Sequence, residues 1–169
     1  MLQSVHQHRH KIRNECLLPD FFEGHSEAFG MFENTLGVVK RSFTAQITGS
    51  WQDDMFLLDE RFVFSDGVRD HRIWRLRFEE DGHFTGECQD AVSPAIGRPV
   101  RNGCYLSYRF RLPVGKRQIV VKFNDVFRLV DEQTMLNRAK VSKWGVPLGQ
   151  VTAAFRRVPS GQVGETGYL

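Results

Sequence analysis

Several carboxylates in the chain could act in acid–base chemistry if they face an enclosed interior. Asp125 and Asp131 lie in the C-terminal half, and Asp59 and Glu60 lie earlier in the chain. A carboxyl group surrounded by apolar residues has a raised pKa, which acid–base catalysis near neutral pH requires. Catalysis by Asp125 or Asp131 is therefore one interpretation of the sequence, and it depends on an inward position.

Asn137 is a polar residue on a face that is otherwise apolar. Along 135–141, Met135, Ala139 and Val141 alternate with Leu136 and polar residues, and Asn137 falls on the same side as these three. An amide inside a protein must be hydrogen-bonded by protein, water or a ligand. An internal network or buried water and a contact with a bound ligand are both consistent with this position.

Arg72 is a second polar residue on an apolar face, shared with Trp74, Leu76 and Phe78. Asp70 lies on that face two residues earlier. A guanidinium group suits carboxylates and phosphates, so an inward Arg72 would neutralise an anionic head group. The alternative is that Arg72 lies at the mouth of a barrel with its charge in water.

The sequence contains none of the common catalytic or nucleotide-binding motifs: GxSxG, a P-loop, GxGxxG or HExxH. His6, His8 and His10 alternate in the N-terminal segment, but a metal site also needs a scaffold that holds its ligands. No metal or cofactor is therefore expected.

The middle of the chain alternates apolar and polar residues between turn signals, which is typical of half-buried strands. Asp66-Gly67, Asp81-Gly82 and Asn102-Gly103 supply the positive φ angles of tight hairpins. We predict strands at 28–33, 38–50, 54–64, 68–79, 83–91, 95–101, 104–112, 116–124, 126–131, 135–143 and 149–158.

About ten short strands joined by tight turns predict an all-β fold, an antiparallel up-and-down barrel whose closure removes the sheet edges. Pro19 and Asp20 predict a short N-terminal helical turn within 18–29. We expect a disordered polar arm at 1–17, a single barrel domain at 18–158 and a flexible tail at 159–169.

The predicted inward faces carry large aromatic residues. A barrel of this size holds either packed side chains or one small ligand. The candidate ligand-binding residues are the aromatic ones and the two inward polar ones: Phe43, Arg72, Trp74, Phe78, Tyr108, Phe110, Phe123 and Asn137.

Composition excludes several classes of protein. The 169 residues are 41% hydrophobic and 25% charged with a net charge of +3, which is typical of one globular domain. The sequence contains no run of 18 apolar residues, so no transmembrane helix is predicted. Three cysteines without CxxC spacing and no signal-like apolar run indicate free thiols and a cytoplasmic location for the chain as written.

Basic residues are plentiful on the predicted outward faces: Arg69, His71, Arg75, Arg77, Arg109, Arg111, Lys116 and Lys122. A basic stripe would suit nucleic acid or anionic lipid. Because Asp59, Glu60, Glu79 and Glu80 interleave with these residues, a solvated outer wall is expected, and no nucleic-acid partner is predicted. An interaction module that uses this wall is a further alternative.

A series of short motifs resembles an uncharacterised bacterial family, a domain of unknown function with a lipocalin-like (calycin) fold. The matching residues are Phe21-Phe22-x-Gly24, Gly30-Met31-Phe32, Ile47-x-Gly49-x-Trp51, Leu58-Asp59-Glu60, Arg72-x-Trp74, Asn137-Arg138-Ala139, Ser142-Lys143-Trp144-Gly145 and Gly149-Gln150-Val151-Thr152. The resemblance implies a lipocalin-like barrel over roughly residues 20–157.

The same resemblance bears on location. Members are often lipid-anchored through a Cys shortly before the Phe-Phe-x-Gly stretch, and Cys16 falls there, but Arg13, Asn14 and Glu15 before it do not fit such a signal. We therefore expect envelope association only if the N-terminus is truncated or misassigned.

The sequence favours a binding protein that accepts a small hydrophobic or amphipathic molecule inside a barrel. The alternative prediction is a small-molecule enzyme with carboxylate acid and base residues inside the barrel. Oligomeric state is not predicted.

Overall fold

The computed structural model describes residues 17–159, which form one short helix and ten strands. The strands follow the alternation of apolar and polar residues, with apolar side chains turned to the barrel interior. The elements are α1 (Leu17–Phe22), β1 (Gly24–Asn34), β2 (Val39–Gln52), β3 (Met55–Phe64), β4 (Arg69–Phe78), β5 (Phe84–Glu87), β6 (Ala95–Val100), β7 (Gly103–Val114), β8 (Arg117–Leu129), β9 (Thr134–Lys143) and β10 (Val146–Val158).

Each strand pairs antiparallel with its neighbours in sequence, and β1 pairs with β10 to close the barrel. Ala28 of β1 shows the closure, because it lies opposite Ala45 of β2 on one side and Phe155 of β10 on the other. The predicted all-β up-and-down barrel with a short N-terminal helix is confirmed.

Several predicted boundaries were wrong. The strand predicted at 83–91 is β5, which ends at Glu87, and the strand predicted at 149–158 is β10, which begins at Val146. Residues 117–129 form one strand, although the sequence suggested a break at residue 125. The strand continues there because both polar side chains have partners: Asn124 accepts hydrogen bonds on the outside from Tyr105 and Ser107, and Asp125 accepts one inside from Asn137. β1 begins at Gly24 rather than at residue 28, and the helix ends at Phe22. Most of the predicted arm and tail lies outside the described residues.

Helix α1 closes one end of the barrel. Its residues Leu18, Phe21 and Phe22 are buried, and the Phe22 ring contacts Phe155 edge-on at 5.2 Å between centroids. Gly49 of β2 allows this close approach, since a Cβ there would lie 2.0 Å from the carbonyl oxygen of Phe22. We call this end the closed end.

The opposite end, here called the mouth, carries the turns that join β1 to β2, β3 to β4, β7 to β8 and β9 to β10. The connection from β5 to β6 lies beside the wall of the barrel, where Ala91 forms a bridge with Phe110 of β7. No helix in residues 17–159 is long and apolar enough to cross a membrane.

Candidate functional site

Strands β3, β4, β7, β8 and β9 together bring six polar side chains to the inner face of the barrel. Glu60 of β3 lies directly opposite Arg72 of β4, and Leu106 of β7 lies opposite Asp125 of β8. We define the inner polar cluster as Glu60, Asp70, Arg72, Tyr108, Asp125 and Asn137.

Asp125 is the most deeply buried charged residue of this cluster, at 4% exposure. Its Oδ1 accepts a hydrogen bond of 2.9 Å from Nδ2 of Asn137, which is itself 6% exposed. Its Oδ2 makes no well-formed hydrogen bond among the described residues, although the Tyr108 phenol lies close enough to act on the carboxylate as a donor. Burial raises the pKa of Asp125 to about 6, while Asn137 and the Tyr108 phenol act in the opposite direction.

Glu60 is a second carboxyl group inside the barrel with an altered pKa. Burial raises its pKa to about 7, the positive charge of Arg72 lowers it, and the nearby Asp125 and Asp70 carboxylates raise it. Because Glu60 and Asp125 influence each other, the first to lose its proton hinders ionisation of the second.

Arg72 lies opposite Glu60, and its guanidinium extends towards the mouth. Its guanidinium contacts Oδ2 of Asp70 at 2.8 Å and lies 4.7 Å from the ring centroids of both Phe62 and Phe110. The Arg72 side chain keeps 19% exposure. Its charge is therefore already compensated by Asp70, which weakens the sequence-based idea that it neutralises an anionic head group.

Aromatic rings surround the cluster. The Tyr108 ring stacks on Phe123 at 5.2 Å with an interplanar angle of 10° and meets Trp74 edge-on at 5.1 Å. Burial raises the pKa of the Tyr108 phenol well above its ordinary value, and the negative charge of Asp125 adds to that shift. Tyr108 therefore remains a neutral hydrogen-bond donor at physiological pH.

The interior is unevenly packed. At the closed end, Phe56, Phe84 and Met135 are completely buried. Nearer the mouth, Glu60 and Tyr108 face inward but remain only partly buried. Because these side chains point away from the outer wall, their accessible surface faces the inside of the barrel. The aromatic residues thus fill the closed end, whereas Glu60 and Tyr108 at the level of the polar cluster keep part of their surface accessible.

The structure separates the other predicted ligand-binding residues. Trp74, Tyr108, Phe110 and Phe123 form one aromatic group at the cluster. Phe43 lies further towards the mouth against Phe62 and Phe64. Phe78 packs near the closed end against Phe84 at 4.9 Å.

The four candidate acids and bases are also separated. Asp131 is exposed in the β8–β9 turn, outside the cluster. Asp59 lies on the outer face, where Oδ1 is 3.0 Å from Nε2 of His71. Glu60 was expected to belong with Asp59 on the outer wall, and this was wrong. Glu60 shares its face with Phe56, Leu58 and Phe62, and this alternation in the sequence was a sufficient signal.

The predicted basic residues of the outer wall are all exposed, and neither Cys88 nor Cys104 forms a disulfide. Within residues 17–159, no three His, Cys, Asp or Glu side chains are grouped as metal ligands would be. His6, His8, His10 and Cys16 lie outside this range.

Fold and site together define a closed ten-stranded antiparallel barrel with a buried carboxylate cluster in an aromatic interior. The chain belongs to the family described as Protein of unknown function (DUF3833), whose model matches residues 2–157. No curated protein sequence matches it.

Among solved structures, the chain is similar to a designed protein whose title reads "De novo design of a fluorescence-activating beta barrel". The two share 12% identity with a TM-score of 0.45, covering 83% of this chain and 96% of the designed one.

Proposed function

We propose that the barrel binds a small amphipathic molecule, with its polar end at the inner polar cluster and its apolar part among the aromatic residues nearer the mouth. The observation that carries this proposal is the Asp125 carboxylate, which is 4% exposed and whose Oδ2 makes no well-formed hydrogen bond in the described chain, with the Tyr108 phenol nearby as a donor. A buried acceptor is costly to leave unbonded, so a donor group supplied by a ligand would satisfy it. A lipocalin-like relationship is part of this proposal.

The charge of the cluster selects the kind of polar end. Asp70, Glu60 and Asp125 supply three carboxyl groups against the single guanidinium of Arg72, which Asp70 already neutralises. An ammonium group or a hydroxyl donor would compensate Asp125, whereas a carboxylate would add a second unpaired negative charge. The proposed ligand therefore carries a cationic or hydrogen-bond-donating head.

The aromatic surroundings support the same ligand. Tyr108, Phe123 and Trp74 present ring faces and edges beside the cluster. Aromatic rings contact alkyl chains favourably, and their faces attract cations. Together with the phenol of Tyr108 they match a molecule with one polar end and an apolar body.

Calorimetric titration of the full chain with decylamine, decanol and decanoate at pH 7.5, below their micellar concentrations, tests the proposal. We expect the amine to bind at least about tenfold more tightly than the acid, with the alcohol between them. Asp125→Asn should remove most of the preference for the amine. Asp131→Asn, which changes an exposed carboxylate, is the matched control and should leave it unchanged.

The possible results distinguish a failure of interior binding from a failure of the head-group assignment. If none of the three compounds binds and native mass spectrometry finds no co-purified molecule, interior binding is wrong. If decanoate binds as tightly as decylamine, interior binding stands and the assignment of the head group is wrong.

A second candidate function is acid–base catalysis on the bound molecule. It is favoured by one observation: Glu60 and Asp125 occupy the same interior with pKa values raised to about 7 and about 6, suitable for an acid and a base near neutral pH. Recovering an interior ligand after incubation distinguishes the two functions. An unchanged mass supports binding, whereas a product that disappears with Glu60→Gln supports catalysis.

A further inference from the structure

Exposed apolar side chains are concentrated at the mouth of the barrel. Twelve large hydrophobic residues are exposed in the described chain, and seven of them lie in or beside the four mouth turns. We call these seven the mouth rim: Leu36, Val38, Val39, Val68, Val114, Trp144 and Val146. Of these twelve exposed residues, only Val130 lies in a turn at the closed end.

Trp144 is the most exposed member of the mouth rim, at 91%. It lies in the β9–β10 turn with a φ of 50°, followed by Gly145 with a φ of 79°. Asn, Asp and Gly ordinarily occupy such turns, and a bulky residue there is strained. The turn thus holds an indole ring in solvent at a conformational cost, and such strain is often found at functional sites.

Charge is divided between the two ends of the barrel. Residues 33–41, 64–69, 112–118 and 142–147 around the mouth turns contain six basic and two acidic residues. The closed-end segments 52–55, 78–84, 100–103 and 129–134 contain seven acidic residues and one basic residue. The exposed apolar side chains and the excess of positive charge therefore lie at the same end of the barrel, the mouth.

We propose that the mouth rim docks on the surface of an anionic lipid bilayer. Trp144, Leu36 and Val114 would enter the head-group region, since an indole ring prefers the boundary between water and hydrocarbon. Lys116, Arg117 and their basic neighbours would face lipid phosphates, which attract basic residues at the membrane surface.

The arrangement of the mouth rim favours a bilayer over a protein partner. Leu36, Val68 and Trp144 lie on three separate turns, and Val114 lies at the end of β7 beside a fourth, so they do not share one flat strand face. A deformable lipid surface can surround such separate tips, whereas a complementary protein surface needs a continuous area of contact. This inference does not depend on a ligand inside the barrel.

Vesicle flotation with the full chain tests the proposal directly. Phosphatidylcholine vesicles are compared with vesicles in which about a third of the lipid is phosphatidylglycerol, at low and at physiological salt. We expect binding to the anionic vesicles, weakened by salt. Lipids brominated in the acyl chains should quench the fluorescence of the wild type more than that of Trp144→Phe.

Variants locate the docking surface. Lys116→Glu/Arg117→Glu should reduce partitioning at least tenfold, because each basic residue contributes about fivefold near an anionic surface. Trp144→Asn suits the turn and should also weaken binding severalfold. The closed-end variants Arg101→Glu and Val130→Asn make the same kinds of change at the other end and should have little effect, although Arg101→Glu reverses one charge where the double variant reverses two. Circular dichroism verifies that all four variants are folded.

Two results would overturn the proposal. One is equal binding to neutral and anionic vesicles, or none to either at low salt. The other is a dimer, seen by light scattering, that Trp144→Asn dissociates while vesicle binding is absent, because the mouth rim would then join two copies of this chain.

Discussion

Asn137 donates a 2.9 Å hydrogen bond from Nδ2 to Oδ1 of Asp125 inside the barrel, joining the inner faces of β9 and β8. Both residues are more than nine-tenths buried. The bond orients the carboxylate so that Oδ2 is left to accept a hydrogen bond from elsewhere. The amide therefore stabilises the strand pair and also presents an acceptor to the interior.

Replacing Asn137 by Ala tests the stabilising part of this relationship. The buried Asp125 carboxylate would lose its direct donor, so we expect a loss of about 1–3 kcal/mol in the free energy of unfolding at pH 8. The loss should shrink at pH 5, where Asp125 is protonated. Urea unfolding at both pH values measures it. Leu136→Ala on the outer face of the same strand is the control, and an equal, pH-independent loss in both variants would contradict the account.

Asp125→Asn should stabilise the protein at high pH. The folded-state pKa of Asp125 is about 6, above its ordinary value of 3.8, so its favourable contribution is complete below 3.8 and is lost as pH rises through 6. At pH 8 the variant avoids burying a charge and should be more stable than the wild type by about 1–2 kcal/mol. The difference should vanish near pH 4. Thermal unfolding between these pH values would show no such trend if Asp125 were solvated.

Binding of a cationic amphiphile should depend on pH in the same range. The groups that face Glu60 and Asp125 are Asp70 and Arg72 of β4, Cys88 after β5, Tyr108 of β7 and Asn137 of β9. Protonation of Asp125 and Glu60 removes the negative charge that holds an ammonium group, while an alkylamine stays charged throughout.

Decylamine affinity should therefore fall at least tenfold from pH 8 to pH 5, and decanol affinity should change little. Glu60→Gln should shift the midpoint of this change downwards, towards the pKa of Asp125 near 6. Calorimetry over this range measures both effects. A flat amine profile would show that these carboxyl groups do not contact the head group.

Trp144→Asn should raise stability while it lowers membrane affinity. Asn adopts the φ of 50° found at this position more readily than Trp, so we expect a gain of about 0.5–1 kcal/mol. Thermal unfolding beside vesicle flotation measures the two quantities on one sample. The Lys143 ammonium lies 4.5 Å from the centroid of the Trp144 ring, so a loss of stability would mean that this contact outweighs the backbone strain, and the turn would then carry no net conformational cost.

Gly49→Ala should disturb the closure of the barrel by α1. The added Cβ would lie 2.0 Å from the Phe22 carbonyl oxygen and 2.8 Å from the Phe56 ring, so the helix must move. We expect a cost of about 3 kcal/mol in chemical unfolding. Gly37→Ala is the comparison, since open space surrounds it and only its φ of 75° costs about 1 kcal/mol. Equal costs would argue that α1 does not seal this end.

The fold could be predicted from the sequence because its signals are local. Apolar and polar residues alternate within each strand, and turn residues lie between the strands. An inward position could be predicted for Trp74, Phe110 and Asn137, since each lies in a segment where apolar and polar residues alternate regularly. The wrong face was predicted for Glu60 because it was grouped with the acidic Asp59. Alternation along the strand places it on the same face as Leu58 and Phe62.

The cluster and the mouth rim could not be predicted as units. Glu60 and Asp125 belong to strands that are not neighbours, and only closure of the barrel brings their inner faces to one space. The mouth rim joins turns that are far apart in sequence, from Leu36 to Trp144, and their common end is a property of the up-and-down topology.

The most direct test of interior binding is a crystal structure of the full chain grown with decylamine at pH 8. We predict density for the amine nitrogen about 3 Å from Oδ2 of Asp125, with the alkyl chain beside Tyr108 and Phe123. A structure from these crystals in which only protein side chains pack against Asp125 would contradict the account.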